Sequence, residues 1–277
     1  MGRSFAKLHL LIERDVATKA TLKTLVVSSL LSLVVVFAVG SSMFDTFDNA
    51  KSGALVIASA MIWLGLFDSI LEVSDQRKQM GREFTEGQGV PSSLFALVVI
   101  RVVHAVVQTA CMVVATFVMI EVPDAPTVMM GTVPDYALIL FCVCFSSHML
   151  GLAISALAPS NITALKAAPP VLIFELIFSG MLIALPDAAK ELTRFTICRW
   201  GVEAIGSVFN INDLDWSIEV TYADFGYDFF NTHDNPDYLA TSDHVMEALG
   251  WLLLLTMAAA LVTFVALKIY QKKSQRG

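Results

Sequence analysis

The 277 residues hold 56% hydrophobic and 16% charged side chains, with a net charge of −7 and a mean hydropathy of +0.69. Soluble globular domains run at ~45–50% apolar and ~25% charged, so this composition excludes one, and the acidic balance excludes a nucleic-acid binder, which needs a basic surface. Four Cys are too few for a disulfide framework, and 15 Gly with nine Pro are too few for a fibrous or disordered chain.

Residues 1–21 open the chain with Phe5, Leu8, Ile12 and Val16 at helical spacing, among Lys7, Arg14 and Lys19. This pattern predicts an amphipathic helix lying on the inner leaflet. It is not a cleavable signal, because the first apolar run begins late and Glu13 and Asp15 interrupt the approach. Ala6 also stands where the myristoylation pattern needs Ser or Thr.

Six charge-poor runs follow, at 24–44, 52–72, 92–120, 136–158, 167–185 and 248–267. At ~1.5 Å per helical residue, each is long enough to cross a ~30 Å hydrocarbon core. The fold class expected is therefore all-α integral membrane: a surface helix (1–21), a six-span domain (22–270) and a short basic tail (271–277). Within the six-span domain, 72–91 forms an inner loop and 187–246 a long outer loop. The start of the outer loop, from Ala188 to Asn210, is amphipathic and too polar to cross, which suits a re-entrant helical pair. The rest is a small acidic cap containing Trp216, Tyr222, Tyr227 and Phe229.

Fourteen of the 18 Lys and Arg residues fall on one side of this arrangement, which makes that side cytoplasmic and places both termini there. The chain is thus expected in the cytoplasmic membrane as a multi-pass protein. The Asn161-Ile-Thr163 sequon then faces inward and carries no sugar.

Catalytic and metal signatures are missing from the sequence. There is no GxxxxGK[ST] phosphate loop, no HExxH, no paired CxxC and no GxSxG, and the five His are scattered. Cys142 and Cys144 read as small buried hydrophobes. Cys198 is the only outward Cys, so a bond there is possible only between two chains.

Segment 72–89 places Glu72, Asp75, Arg77, Lys78, Arg82, Glu83 and Glu86 on the inner face. Such a segment is either a solvated loop or a charged helix that fits a partner's cleft. In the second case Arg82 and Glu83 supply charge-assisted contacts, and Met80 and Phe84 supply anchors. In the fifth span, Glu175 interrupts an apolar run and must face the protein interior, paired or protonated. Arg101 and His148 lie at a similar depth of about 12–15 Å and are its candidate partners. The role of Glu175 is either a structural hydrogen bond or part of a substrate path or gate.

Two stretches resemble the transmembrane permease subunits of G-subfamily-like (ABC-2 type) ABC exporters. In "GLFDSILEVSDQRKQMGREFTEGQG", Glu72, Arg77, Arg82, Glu83 and Gly87 fall where that family has a span ending in Glu and then a charged coupling helix. Met80 replaces a usual aromatic, Phe84 a usual Arg and Gln76 a common acid. "GLAISALAPSNITALKAAPPVLIFELIFSGMLIAL" is similar to the family's fourth-to-fifth-span hairpin, with Phe174 at a frequent Pro and Glu175 at a frequent Gln. "CRWGVEAI" is a weaker match to the element after the fifth span.

The resemblance implies a permease that exports an amphipathic or apolar substrate such as a lipid, a peptide or a drug-like molecule. A separate cytosolic ABC ATPase would bind ATP and Mg and dock on Glu72, Arg77, Met80, Arg82, Glu83 and Phe84. This chain itself is expected to be no enzyme and to hold no cofactor and no metal. It implies a second permease copy or a homologous permease as partner, in contact with membrane lipid. The substrate path would run between the second and fifth spans, with Trp63, Phe67 and Asp68 on one and Phe174, Glu175, Phe178 and Met181 on the other. Leu182, Ile183 and Leu185 would form an outer plug. The competing reading is a stand-alone channel or sensor whose acidic outer domain binds a ligand or cation.

Overall fold

The computed structural model describes residues 19–123, 125–182, 185–214 and 235–275. Over those residues the chain is helical, with no strand among them. Residues 1–18 of the surface helix expected over 1–21, Ile183, the aromatics of the acidic cap and the last two residues of the tail lie outside the described residues.

Helix α1 (Lys19–Val39) stops at Gly40, whose φ of 78° favours a residue without Cβ, and a short 3-10 turn leads on. Helix α2 (Phe47–Ser69) starts where Thr46 turns extended and its hydroxyl accepts the N–H of Asn49. Two residues later α3 (Glu72–Thr85) begins, polar except for a buried stripe of Val73, Met80, Gly81 and Phe84. Helix α4 (Val90–Met119) has Pro91 in its first turn, where a missing N–H costs nothing. Helix α5 (Thr132–Leu157) follows a turn fixed by the Asp135 carboxylate, which accepts the N–H groups of Met129 and Met130. Ser160 caps α6 (Asn161–Ile177), a helix that carries Pro169 and Pro170 in its interior. Two short helices, α7 (Asp187–Thr193) and α8 (Ile197–Val208), precede the 33-residue α9 (Ser242–Ser274).

The core is organised around α5, which packs most closely against α2 and α9. Glycine permits the α2 crossing: a Cβ on Gly65 would lie 2.5 Å from the Cys144 carbonyl oxygen. Ser147 Oγ donates to the Ile62 carbonyl at 2.6 Å across the same contact. On the other side, the hydroxyls of Ser146 and Thr256 pair at 2.7 Å. Helix α8 is buried along its whole length against α2, α5 and α9, and Trp200 stacks on Trp251 of α9 at 5.3 Å.

Four helices among the described residues are long and apolar enough to cross a membrane: α2 continued by α3, α4, α5 and α9. The chain is a multi-pass membrane protein. Several expected boundaries move. The second run extends back to Phe47, because the Thr46 cap sets its start. The last runs from Ser242 to Ser274, well past the end expected from hydropathy. The fifth run, expected over 167–185, is instead helical from Asn161 to Ile177. It ends there because Ser179 Oγ donates back to the Leu176 carbonyl and Gly180 turns left-handed at φ 76°.

Candidate functional site

Several charged side chains inside the bundle gather at one place. Asp68, on the last turn of α2, and Glu72, on the first turn of α3, lie four residues apart and so on one face. Arg101, His104 and Gln108 line the facing side of α4 at spacings of three and four. Arg101 is buried. Its Nη1 donates to Asp68 Oδ2 at 2.9 Å and to the Asp68 carbonyl at 2.8 Å, and its Nη2 reaches Glu72 Oε2 at 3.2 Å. His104 Nδ1 donates to the same Asp68 Oδ2 at 2.6 Å.

A second layer comes from α5. His148 Nε2 and Cys144 Sγ both donate to Gln108 Oε1 at 2.9 Å, and His148 Nδ1 stands 3.9 Å from Asp68 Oδ2. The cluster therefore ties α2 and the start of α3 to α4 through charge-assisted bonds, which are the strong ones in a water-poor interior, and α4 to α5 through the hydrogen bonds on Gln108.

This cluster floors a cavity of about 480 Å³ between α1, α2 and α4. Its walls are apolar, with Val27, Leu31 and Leu64, and at its rim Trp63 and Phe67 are half exposed and meet edge to face at 6.2 Å. Ser28 on the α1 wall is fully buried, and its hydroxyl has no hydrogen-bond partner among the described residues. A cavity with apolar walls, an aromatic rim and a charged floor matches a molecule that is apolar at one end and polar at the other.

The expected site residues divide into two groups. Trp63, Phe67 and Asp68 come together in this cavity. Phe174, Glu175, Phe178 and Met181 do not line it: the rings of Phe174 and Phe178 lie against each other at 4.6 Å, and Met181 Sδ accepts from Tyr238 Oη. Leu182 is exposed and Leu185 half-buried in the loop after α6.

Three expectations are corrected. Arg101 and His148 are not partners of Glu175; Asp68, Glu72 and Gln108 engage them instead. Glu175 is buried, and its carboxylate accepts the N–H of Cys198 at 3.0 Å, at the start of α8. A helix N-terminus offers unpaired N–H groups and a favourable dipole, so it can hold a carboxylate without a cation. Cys198 itself is fully buried, beside Ser59, and is not available for a bond between chains.

The third correction concerns α3. Met80 and Phe84 are buried in the chain's own core, in a cluster with residues of α4, α5 and α9 and with Phe84 against Tyr270 of α9, so they cannot anchor a partner. Arg77 is also turned inward. Its Nη2 donates to the carbonyls of Ala156 and Ala158 at 2.9 and 2.7 Å, capping the end of α5. Lys78, Gln79, Arg82 and Glu86 are exposed, with Glu83 half-buried beside them and bonded to Gln79. Sequence reasoning missed His104 and Gln108, although the signal was present: they share a helical face with Arg101 in an otherwise uncharged run.

Comparison with known proteins adds the lineage. The family model described as ABC-2 type transporter matches residues 7–209. An ABC transporter ATP-binding/permease protein of Mycobacterium tuberculosis is 29% identical over 157 residues, 55% of this chain. The match spans 18% of that relative's length.

Proposed function

The chain belongs to the ABC-2 type transporter family, and on that premise we propose that it is the permease subunit of an ATP-driven exporter of amphipathic or apolar molecules. In this reading α1, α2, α4, α5, α6 and α9 are the six spans. Both ends of the chain and α3 face the cytoplasm, as the distribution of Lys and Arg requires. A cytosolic ABC ATPase docks on the outward face of α3, through Arg82 and Glu83 with Lys78, Gln79 and Glu86. That ATPase holds ATP and Mg; the 277 residues themselves contain no phosphate loop. The matched relative carries ATP-binding and permease parts under one name. A second copy or a homologous permease completes the pathway, with Phe174, exposed on α6, and Phe178, half-buried just after that helix, to meet it.

One observation carries the reading. Glu72 is at once the first residue of the docking helix and a ligand of Arg101 on the cavity floor. A displacement of α3 therefore acts on the charges beneath the substrate. The substrate's apolar part would lie against Trp63 and Phe67 and its polar end on the Asp68, Glu72 and Arg101 floor.

The test is purification of the tagged chain from its own membranes, mass spectrometry of what accompanies it, and reconstitution in liposomes with fluorescent amphiphiles. ATP-dependent movement of the probe is expected. Glu83→Ala is expected to lower transport while the complex still assembles and hydrolyses ATP. Ion flux without ATP, with no ATPase in the purified material, would replace this reading with that of a channel.

A further inference from the structure

The last helix does more than cross. Hydropathy ends the sixth apolar run near Leu267, yet α9 continues for about two more turns to Ser274. Those turns lie along α3, and four polar side chains there bond to its main chain or to the residues just after it. Tyr270 Oη donates to the Arg77 carbonyl at 2.9 Å, and Ser274 Oγ to the Gly81 carbonyl at 3.0 Å. Gln271 Nε2 donates to the Gln88 carbonyl at 3.1 Å and Gln275 Nε2 to the Phe84 carbonyl at 3.3 Å.

The Tyr270 ring adds two contacts. It lies 5.3 Å from the Arg77 guanidinium carbon and edge-on to Phe84 at 6.3 Å. Gly81 leaves room for this approach, since a Cβ there would come within 2.9 Å of Tyr270 Oη. A 14-residue helix as polar as α3 is marginal by itself. Here its inner face is held on one side by α9 and on the other by the Arg77 cap on α5.

We propose that Tyr270, Gln271, Ser274 and Gln275 are positioning residues that clamp the docking helix to the last span. Displacement of α3 by the ATPase then reaches the bundle as movement of α9 instead of being lost in a pivoting surface helix. The proposal rests on the exporter reading and extends it to a segment that reading does not use. Its consequence reaches the far end of the molecule, because α9 also holds α8 through the Trp200–Trp251 stack.

The experiment uses the full chain in its complex with the ATPase, reconstituted in liposomes, and measures transported probe per ATP hydrolysed. Tyr270→Ala/Ser274→Ala is expected to lower that ratio about fivefold or more, at equal amounts of assembled complex and with ATPase activity retained. Tyr270→Phe keeps the ring contacts and is expected to keep at least about half of the ratio. A pure folding defect would lower the yield of complex and leave the ratio unchanged. An unchanged ratio in the double variant overturns the proposal.

A second pair tests whether the contact stays closed. Gly81→Cys/Ser274→Cys places two thiols where a Cβ at 81 lies 3.4 Å from Ser274 Oγ, while the four native Cys are buried or half-buried in helices. Oxidation is expected to leave transport at the level of the same variant kept under reductant, because the clamp stays closed through the cycle. Inhibition by oxidation that reductant reverses would show that the contact must open, and would overturn the proposal. A failure of the exporter reading appears earlier and separately, as wild-type complex without ATP-driven transport, and it takes the clamp with it.

Discussion

Replacing Arg101 with Met tests whether the polar floor is held together by that guanidinium. The substitution keeps most of the apolar stem of the side chain and removes three hydrogen bonds, two of them to carboxylates. The Arg101 side chain is 4% exposed, whereas those of Asp68 and Glu72 are 21% and 19% exposed. Removing one partner of a fully buried pair costs about 3–5 kcal/mol. The two carboxylates keep some access to the cavity, so the lower end, about 3 kcal/mol, is the expected loss. In a chain of this size that lowers the unfolding temperature by about 6–12 °C. The assay is thermal unfolding of detergent-purified protein, followed by the fraction remaining monodisperse.

Neutralising the floor should reverse the loss. Arg101→Met/Asp68→Asn/Glu72→Gln removes the uncompensated charge and is expected to recover most of the stability, as apolar or neutral replacements of buried ion clusters often do. It is still expected to lack transport, because the floor no longer carries charge for the substrate's polar end. If Arg101→Met alone unfolds at the wild-type temperature, or the triple variant is no more stable than the single one, the ion cluster does not bear the load assigned to it.

Three further outcomes are expected. Lys273→Cys should resist an impermeant maleimide in intact cells while Ser242→Cys reacts, and the reverse pattern would invert the topology. Glu175→Gln should assemble with near-normal stability because it still accepts from Cys198, whereas Glu175→Leu should lose about 1–3 kcal/mol in thermal unfolding by leaving that buried N–H unmet; equal stability of the two variants would count against the anchor. Gly65→Ala should destabilise the bundle by about 1–3 kcal/mol, because its Cβ would meet backbone at Cys144, and an unchanged unfolding temperature would show that the α2–α5 crossing can widen.

The helical, membrane-embedded class was legible from composition alone, since uncharged runs of spanning length have few other solutions in lipid. Helix ends were less legible because caps decide them. Thr46 and Ser160 start helices earlier than hydropathy suggests, and the Ser179–Gly180 turn ends α6 where the apolar run continues. The spacing of Asp68 to Glu72 and of Arg101 through His104 to Gln108 announced two polar faces, and only their meeting needed coordinates. The partner of Glu175 was hidden for a physical reason: it is a backbone N–H, which every residue except proline carries, so no side-chain pattern points to it. Met80 and Phe84 misled because an apolar residue on a charged helix reads the same whether it faces another protein or its own chain.

Pro169 and Pro170 give α6 an uneven stiffness along its length. Each lacks an N–H, so the carbonyls of Leu165 and Lys166 lose the helical donor that four residues on would supply. The other end of α6 is fastened at Glu175 to the start of α8. A rod pinned at the top and weakened one-third of the way up bends at the weak place when its base is pushed. Thermal motion in this helix should therefore concentrate around 165–170, and water or lipid headgroups at that level would find two carbonyl oxygens free to accept from them.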